Sequence, residues 1–123
     1  MVTLYLYFNA ALYALFAAWC TFAPSQTAKG IGFETFSRSG VSEYLVVYGG
    51  LQLGLGIFFF YCAKAGNQRV GLAFALAIYG PIVIYRWATL ARQWPVAATT
   101  LCVGLLETVM LLGALALWWR ARG

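Results

Sequence analysis

The chain has 123 residues, 63% of them hydrophobic and 9% charged, with a net charge of +5 and no histidine, and its mean hydropathy is +0.81. Soluble domains carry roughly 25% charged residues, so this composition points to an integral membrane protein and leaves no room for a soluble domain. The basic residues are spread along the chain instead of forming one patch, so the charge reads as topology and lipid-headgroup contact, and nucleic acid is not an expected partner.

Four apolar runs can be read in order, at 2–22, 43–62, 70–89 and 96–119, each close to the ~20 residues that a helix needs to cross a ~30 Å hydrocarbon core. None alternates with period two, so a barrel is not indicated. The expected fold is all-α: a single integral membrane domain over 1–123, a four-transmembrane-helix bundle with antiparallel neighbours and one long polar loop between the first two helices.

The first run, "VTLYLYFNAALYALFAAW", has no basic segment before it and exceeds the apolar core of a signal peptide, so it is expected to remain as a span. Its polar residue, Asn9, lies ~5 Å from the span centre at ~1.5 Å per residue. The loop "APSQTAKGIGFETFSRSGVS" sets Ile31, Phe33 and Phe36 among Lys29, Glu34 and Arg38, a pattern expected to lie on the membrane surface or fold back over the bundle end. A binding lid is the sharper alternative.

The second run contains "YGGLQLGLG". Gly50 and Gly54 form a GxxxG pair, and Gly49 and Gly56 lie on a second row, so neighbouring backbones are expected to approach on two sides with this helix at the centre. A nucleotide-binding role is rejected, because a phosphate-cradling loop needs a preceding strand and an aqueous site. Gln52 falls within about 2 Å of the midplane.

In the third run, "YGPIVIY" places Gly80 and Pro81 at mid-depth, which predicts a kink and a freed carbonyl near Ala77. Tyr79 sits at the centre of the run and Arg86 near its end. The fourth run, "CVGLLETVMLL", puts Glu107 near the midplane on a stripe with Thr100, Gly104 and Ala114. Small residues beside a polar one mark a helix-packing face.

Every span thus brings a polar group to one layer. Arg86 is the natural countercharge for Glu107, its Cα ~10 Å from the level of the acid, and a string of Arg86, Tyr79, Glu107 and Gln52 is geometrically open. Two uses compete: polar contacts that fix helix register, and a site for a ligand or ion. Arg86 could also snorkel to the interface.

The aromatic residues Tyr5, Tyr7, Phe8, Phe58 to Tyr61, Tyr85, Trp87, Trp94, Trp118 and Trp119 cluster toward span ends as interfacial belts, with a hydrophobic-ligand site as the alternative. Cys20, Cys62 and Cys102 occur singly, with no CxxC pair, and read as small buried hydrophobes. Without histidine the usual haem, di-iron and zinc ligand sets are missing, so neither a metal nor another cofactor is expected. Lys64, Arg69, Arg120 and Arg122 share the side of the termini, against Lys29, Arg38 and Arg92 on the other, which by the positive-inside rule places the termini in the cytoplasm.

The stretches "SEYLVVYGGLQLGLGIFFF" and "YRWATLARQWPVAATTLCVGLLETVMLLGALAL" resemble the small four-helix bacterial membrane proteins of the domain-of-unknown-function 4345 family. In that family a proline and a polar stretch follow the first helix, and an acid precedes an aromatic-Gly-Gly second helix. An arginine ends the third helix and a glutamate sits inside the fourth. Pro24, Glu43, Tyr48, Gly49, Gly50, Gly54, Arg86 and Glu107 match that order. The resemblance implies a fold and a bacterial inner-membrane location, and no activity.

Function is expected to be non-catalytic: an accessory or scaffold subunit that packs against a larger membrane complex or against itself, with membrane lipids and other membrane subunits, or a homo-oligomer, as partners. Two alternatives stay open. One is a binder or carrier of a lipid, quinone or pigment, with Gln52, Tyr79, Arg86 and Glu107 as its polar anchor; the other is a small proton-coupled transporter using Glu107.

Overall fold

A computed structural model describes residues 1–34 and 37–122. Phe36, expected at the membrane surface, lies outside them. Helix makes up 88% of the structure, and no strand occurs among the described residues. The helices are α1 (Val2–Phe22), α2 (Pro24–Gly30), α3 (Arg38–Lys64), α4 (Gln68–Gln93) and α5 (Ala98–Arg122). Four of them, α1, α3, α4 and α5, are long and apolar enough to cross a membrane, and they coincide with the four apolar runs.

The boundaries follow from local chemistry. Pro24 opens α2 at a position where its missing N–H has no helical partner to lose. Ser37 caps α3 by accepting from the Gly40 amide at 3.0 Å. Gly66, at φ +73°, supplies the left-handed residue that closes α3 before Asn67 starts the next helix. Trp94 is held extended by the following Pro95, which ends α4 at Gln93.

Two expectations need correction. The segment 23–42 is not one long loop: α2 occupies its first third, and α3 begins at Arg38. A helix of seven residues cannot stand alone, and this one folds back on the bundle end. There Ala28 is buried with Cys20 and Tyr44, and the Tyr44 hydroxyl donates to Thr27 Oγ1 at 2.8 Å. Helix α4 runs on through an exposed Pro81.

The second correction concerns the centre of the bundle. Its core joins Leu6, Asn9, Ala10 and Tyr13 of α1 to Phe59 and Cys62 of α3, Ala75 and Tyr79 of α4, and Met110 and Ala114 of α5. Both α1 and α4 meet the other three long helices, whereas α3 packs chiefly on α1. Along α1 and α3 contacts run in opposite numerical order: Tyr7 with Phe60, Ala10 and Ala14 with Gly56, Thr21 with Gly49. Between α4 and α5 they run likewise, from Arg69 and Trp118 to Leu90 and Gly104.

Only one of the two glycine rows of α3 meets another helix of the chain. A Cβ at Gly49 would come within 2.9 Å of Thr21 Oγ1, and one at Gly56 within 3.1 Å of the Ala10 carbonyl oxygen, whereas Gly50 and Gly54 have nothing within 4 Å. Between these rows α3 is π-helical over Leu45–Leu51, reverting to α at Gln52. The wider turn re-aims the residues on either side of it. Gly56→Val is expected to lower bundle stability by about 1–3 kcal/mol through overpacking against the α1 backbone, while Gly54→Val leaves it unchanged. Thermal unfolding of the two variants in detergent checks the difference.

Candidate functional site

Glu107 of α5 meets Arg86 of α4 through both of its oxygens: Arg86 Nη2 donates to Oε1 at 2.8 Å and Nε to Oε2 at 3.0 Å. Such a two-point, charge-assisted pair fixes both distance and orientation. Gly104 makes room for it, since a Cβ there would lie 3.1 Å from Arg86 Cγ. The arginine stem therefore lies across the α5 backbone one turn from its partner. The Arg86 side chain keeps 30% of its surface accessible and that of Glu107 keeps 15%.

The next residue on each helix repeats the link. Trp87 Nε1 donates to Thr108 Oγ1 at 3.0 Å, and the threonine hydroxyl donates in turn to the Gly104 carbonyl at 2.8 Å. Neighbouring positions 86–107 and 87–108 thus bind α4 to α5 through one ionic and one neutral contact.

A second polar group lies deeper in the bundle. The Tyr79 hydroxyl donates to Asn9 Oδ1 at 2.6 Å, and Asn9 Nδ2 donates to the Tyr5 carbonyl at 2.9 Å. The Tyr5 hydroxyl donates to the Met110 carbonyl at 2.7 Å, so that α1 is tied to both α4 and α5. Asn9 is completely buried and Tyr79 is 2% exposed. No buried side-chain nitrogen or oxygen among the described residues lacks a partner.

The expected string of Arg86, Tyr79, Glu107 and Gln52 is thus two groups, with Gln52 in neither. Tyr79 and Arg86 are seven residues apart on α4, a rise of ~10.5 Å, and the tyrosine hydroxyl finds Asn9 at its own level instead of Glu107. Gln52 sits half-buried on α3, which packs chiefly on α1. Of the expected site residues, the structure joins Arg86 with Glu107 and Tyr79 with Asn9. Gly49 and Gly56 lie against α1, and Gly50 and Gly54 stand open.

Three residues join these contacts that the sequence does not single out as polar partners: Tyr5 and Trp87, expected in the aromatic belts, and Thr108. Thr108 directly follows Glu107 and Trp87 directly follows Arg86; once the charged pair is drawn, the adjacent pair follows from helical register. Cys20 and Cys62 are buried, but Cys102 is exposed, which corrects the expectation that all three are buried. Among the described residues, no three His, Cys, Asp or Glu side chains converge as a metal site would require.

Neither of two clefts on the surface of the described residues contains Arg86 or Glu107. One, of about 360 Å³, lies beside the turn into α4, and the other, of about 300 Å³, lies between Ile31 and the α4–α5 connection. No protein-family model matches the chain, and no curated protein or solved structure matches it. The fold itself defines the class: an all-helical chain with four membrane-length apolar helices, that of an integral membrane protein.

In a double-mutant cycle on Arg86→Leu and Glu107→Leu, the two changes together are expected to destabilise less than the sum of the single ones, with a coupling of about 1–3 kcal/mol. Unfolding in mixed micelles measures it, and additive losses would contradict the paired geometry. Tyr79→Phe is expected to lower stability by about 1–3 kcal/mol, because it strands Asn9 Oδ1 in the core. The same unfolding assay reads that loss.

Proposed function

We propose that the protein is a non-catalytic subunit of the bacterial inner membrane, an up-and-down bundle with antiparallel neighbours and cytoplasmic termini. It acts as an accessory or scaffold element, packed against a larger membrane complex or against a second copy of itself. The observation that carries this reading is the internal closure of the polar groups. Glu107 commits both oxygens to Arg86, and Tyr79 and Asn9 satisfy each other. Side chains used in this way set helix register, and neither cleft reaches the acid. Gly50 and Gly54, open on α3, leave that helix able to take a neighbour at short distance. The likeness to the domain-of-unknown-function 4345 family adds a fold and a location to this reading.

A second reading, a binder of a lipid, quinone or pigment, draws on the accessible edge of Arg86 and on the π-helical turn of α3. Proton-coupled transport would require Glu107 to leave its arginine and reach water, and it has no comparable support.

Native mass spectrometry of gently extracted protein separates these readings. A scaffold is expected to appear with a second polypeptide or as a homodimer, and Glu107→Gln keeps that assembly. A co-purified small molecule lost in Glu107→Gln would replace the scaffold with the binder, and a bare monomer would contradict both.

A further inference from the structure

The two ends of the bundle differ in charge. At one end the turn from α3 to α4 meets the start of α1, where Gln68 Nε2 donates to Thr3 Oγ1 at 2.7 Å. It also meets the last turns of α5, where the Arg69 guanidinium lies 5.5 Å from the centre of the Trp118 ring. Exposed Lys64, Arg69 and Arg120 gather here with no acidic side chain among them. The acids lie elsewhere: Glu107 is paired with Arg86, and Glu34 and Glu43 offset the basic residues of the opposite end.

The cleft of about 360 Å³ opens at this basic end. Its lining includes the apolar side chains of Val2 and Trp118 and the polar ones of Asn67, Gln68 and Arg69. A volume in the ~300–1,000 Å³ range suits a small ligand or part of a larger one. A lining that sets one cation among apolar side chains suits an amphiphile with a negative head. Trp118 belongs at headgroup depth, and a cation held on its face is fixed in direction. The amino-terminal dipole of α4 adds to the positive field there.

We propose that this cleft holds the phosphate headgroup of an anionic phospholipid from the leaflet that this end of the bundle faces. Arg69 and Asn67 meet the phosphate, and Trp118 and Val2 meet the glycerol and upper acyl carbons. This rests on the reading that the four apolar helices cross the membrane. A basic residue spread over a surface attracts anionic lipid at any position, whereas a cleft makes one arginine count more than its neighbours.

The test is native mass spectrometry of the purified protein in detergent containing equal phosphatidylglycerol and phosphatidylcholine. Wild type is expected to retain phosphatidylglycerol in preference, and Arg69→Gln to lower that retention by about fivefold. Arg69→Lys should keep most of it. Trp118→Leu, a second variant with every charge in place, should lower it too, and Arg120→Gln, on the same end outside the cleft, should change it less than Arg69→Gln. Equal retention of the two lipids, or equal losses in Arg69→Gln and Arg120→Gln, overturns the proposal. Displacement of the lipid by millimolar inorganic phosphate would also overturn it, by assigning the cleft to the free anion. Release of the protein from membranes by alkaline carbonate is a separate readout that would sink the membrane reading itself.

Discussion

A charge placed alone in the middle of a membrane-crossing helix costs about 2.5–3.5 kcal/mol on insertion scales. The arrangement of the last two long helices answers that constraint. Arg86 and Glu107 are each tolerable in apolar helices because the other is there, and their two-point contact admits only a narrow range of helix offsets. Once that offset is set, Trp87 falls opposite Thr108, Gly104 falls under the arginine stem, and Arg69 reaches Trp118 at the far end. One ion pair thus specifies the alignment of more than 20 residues of α4 with α5.

The other half of the bundle is organised by packing. Helix α1 lies against α3 through the Gly49 and Gly56 row, where missing side chains let the two backbones approach, and through the stacked rings of Tyr13 and Phe59. Polar bonds then join this pair to the charged pair: Tyr79 to Asn9, and Tyr5 to the Met110 carbonyl. Membrane helices gain little from the hydrophobic effect among themselves, so small-residue contacts and buried hydrogen bonds carry the association. Asn9 is the junction, since it receives α4 on one side and ties down its own helix on the other.

The four long helices were legible in the sequence because hydrocarbon demands length and low polarity from whatever crosses it, and both can be counted. The Arg86–Glu107 partnership was legible for a related reason, as a lone acid in an apolar run requires a countercharge and only one other span carries a base. What could not be read was rotation. Tyr79 bonding to Asn9, the exclusion of Gln52, and the facing of one glycine row and not the other all depend on how the helices turn about their axes. That is decided by the summed packing of many weak contacts. The π-helical turn at Leu45–Leu51 has no residue signature of its own, and α2 is too short to be helical without Tyr44 and Cys20 against it.

Both oxygens of Glu107 are held by the Arg86 guanidinium, and every other alignment of the last two helices follows from that contact. Isotope-edited infrared spectroscopy of the protein in lipid bilayers at neutral pH, with labelled glutamate and Glu107→Gln as the reference, observes that carboxyl directly. The account predicts a carboxylate band that vanishes in Glu107→Gln and is perturbed in Arg86→Gln. A protonated carbonyl band in the wild-type protein, insensitive to Arg86→Gln, would contradict it.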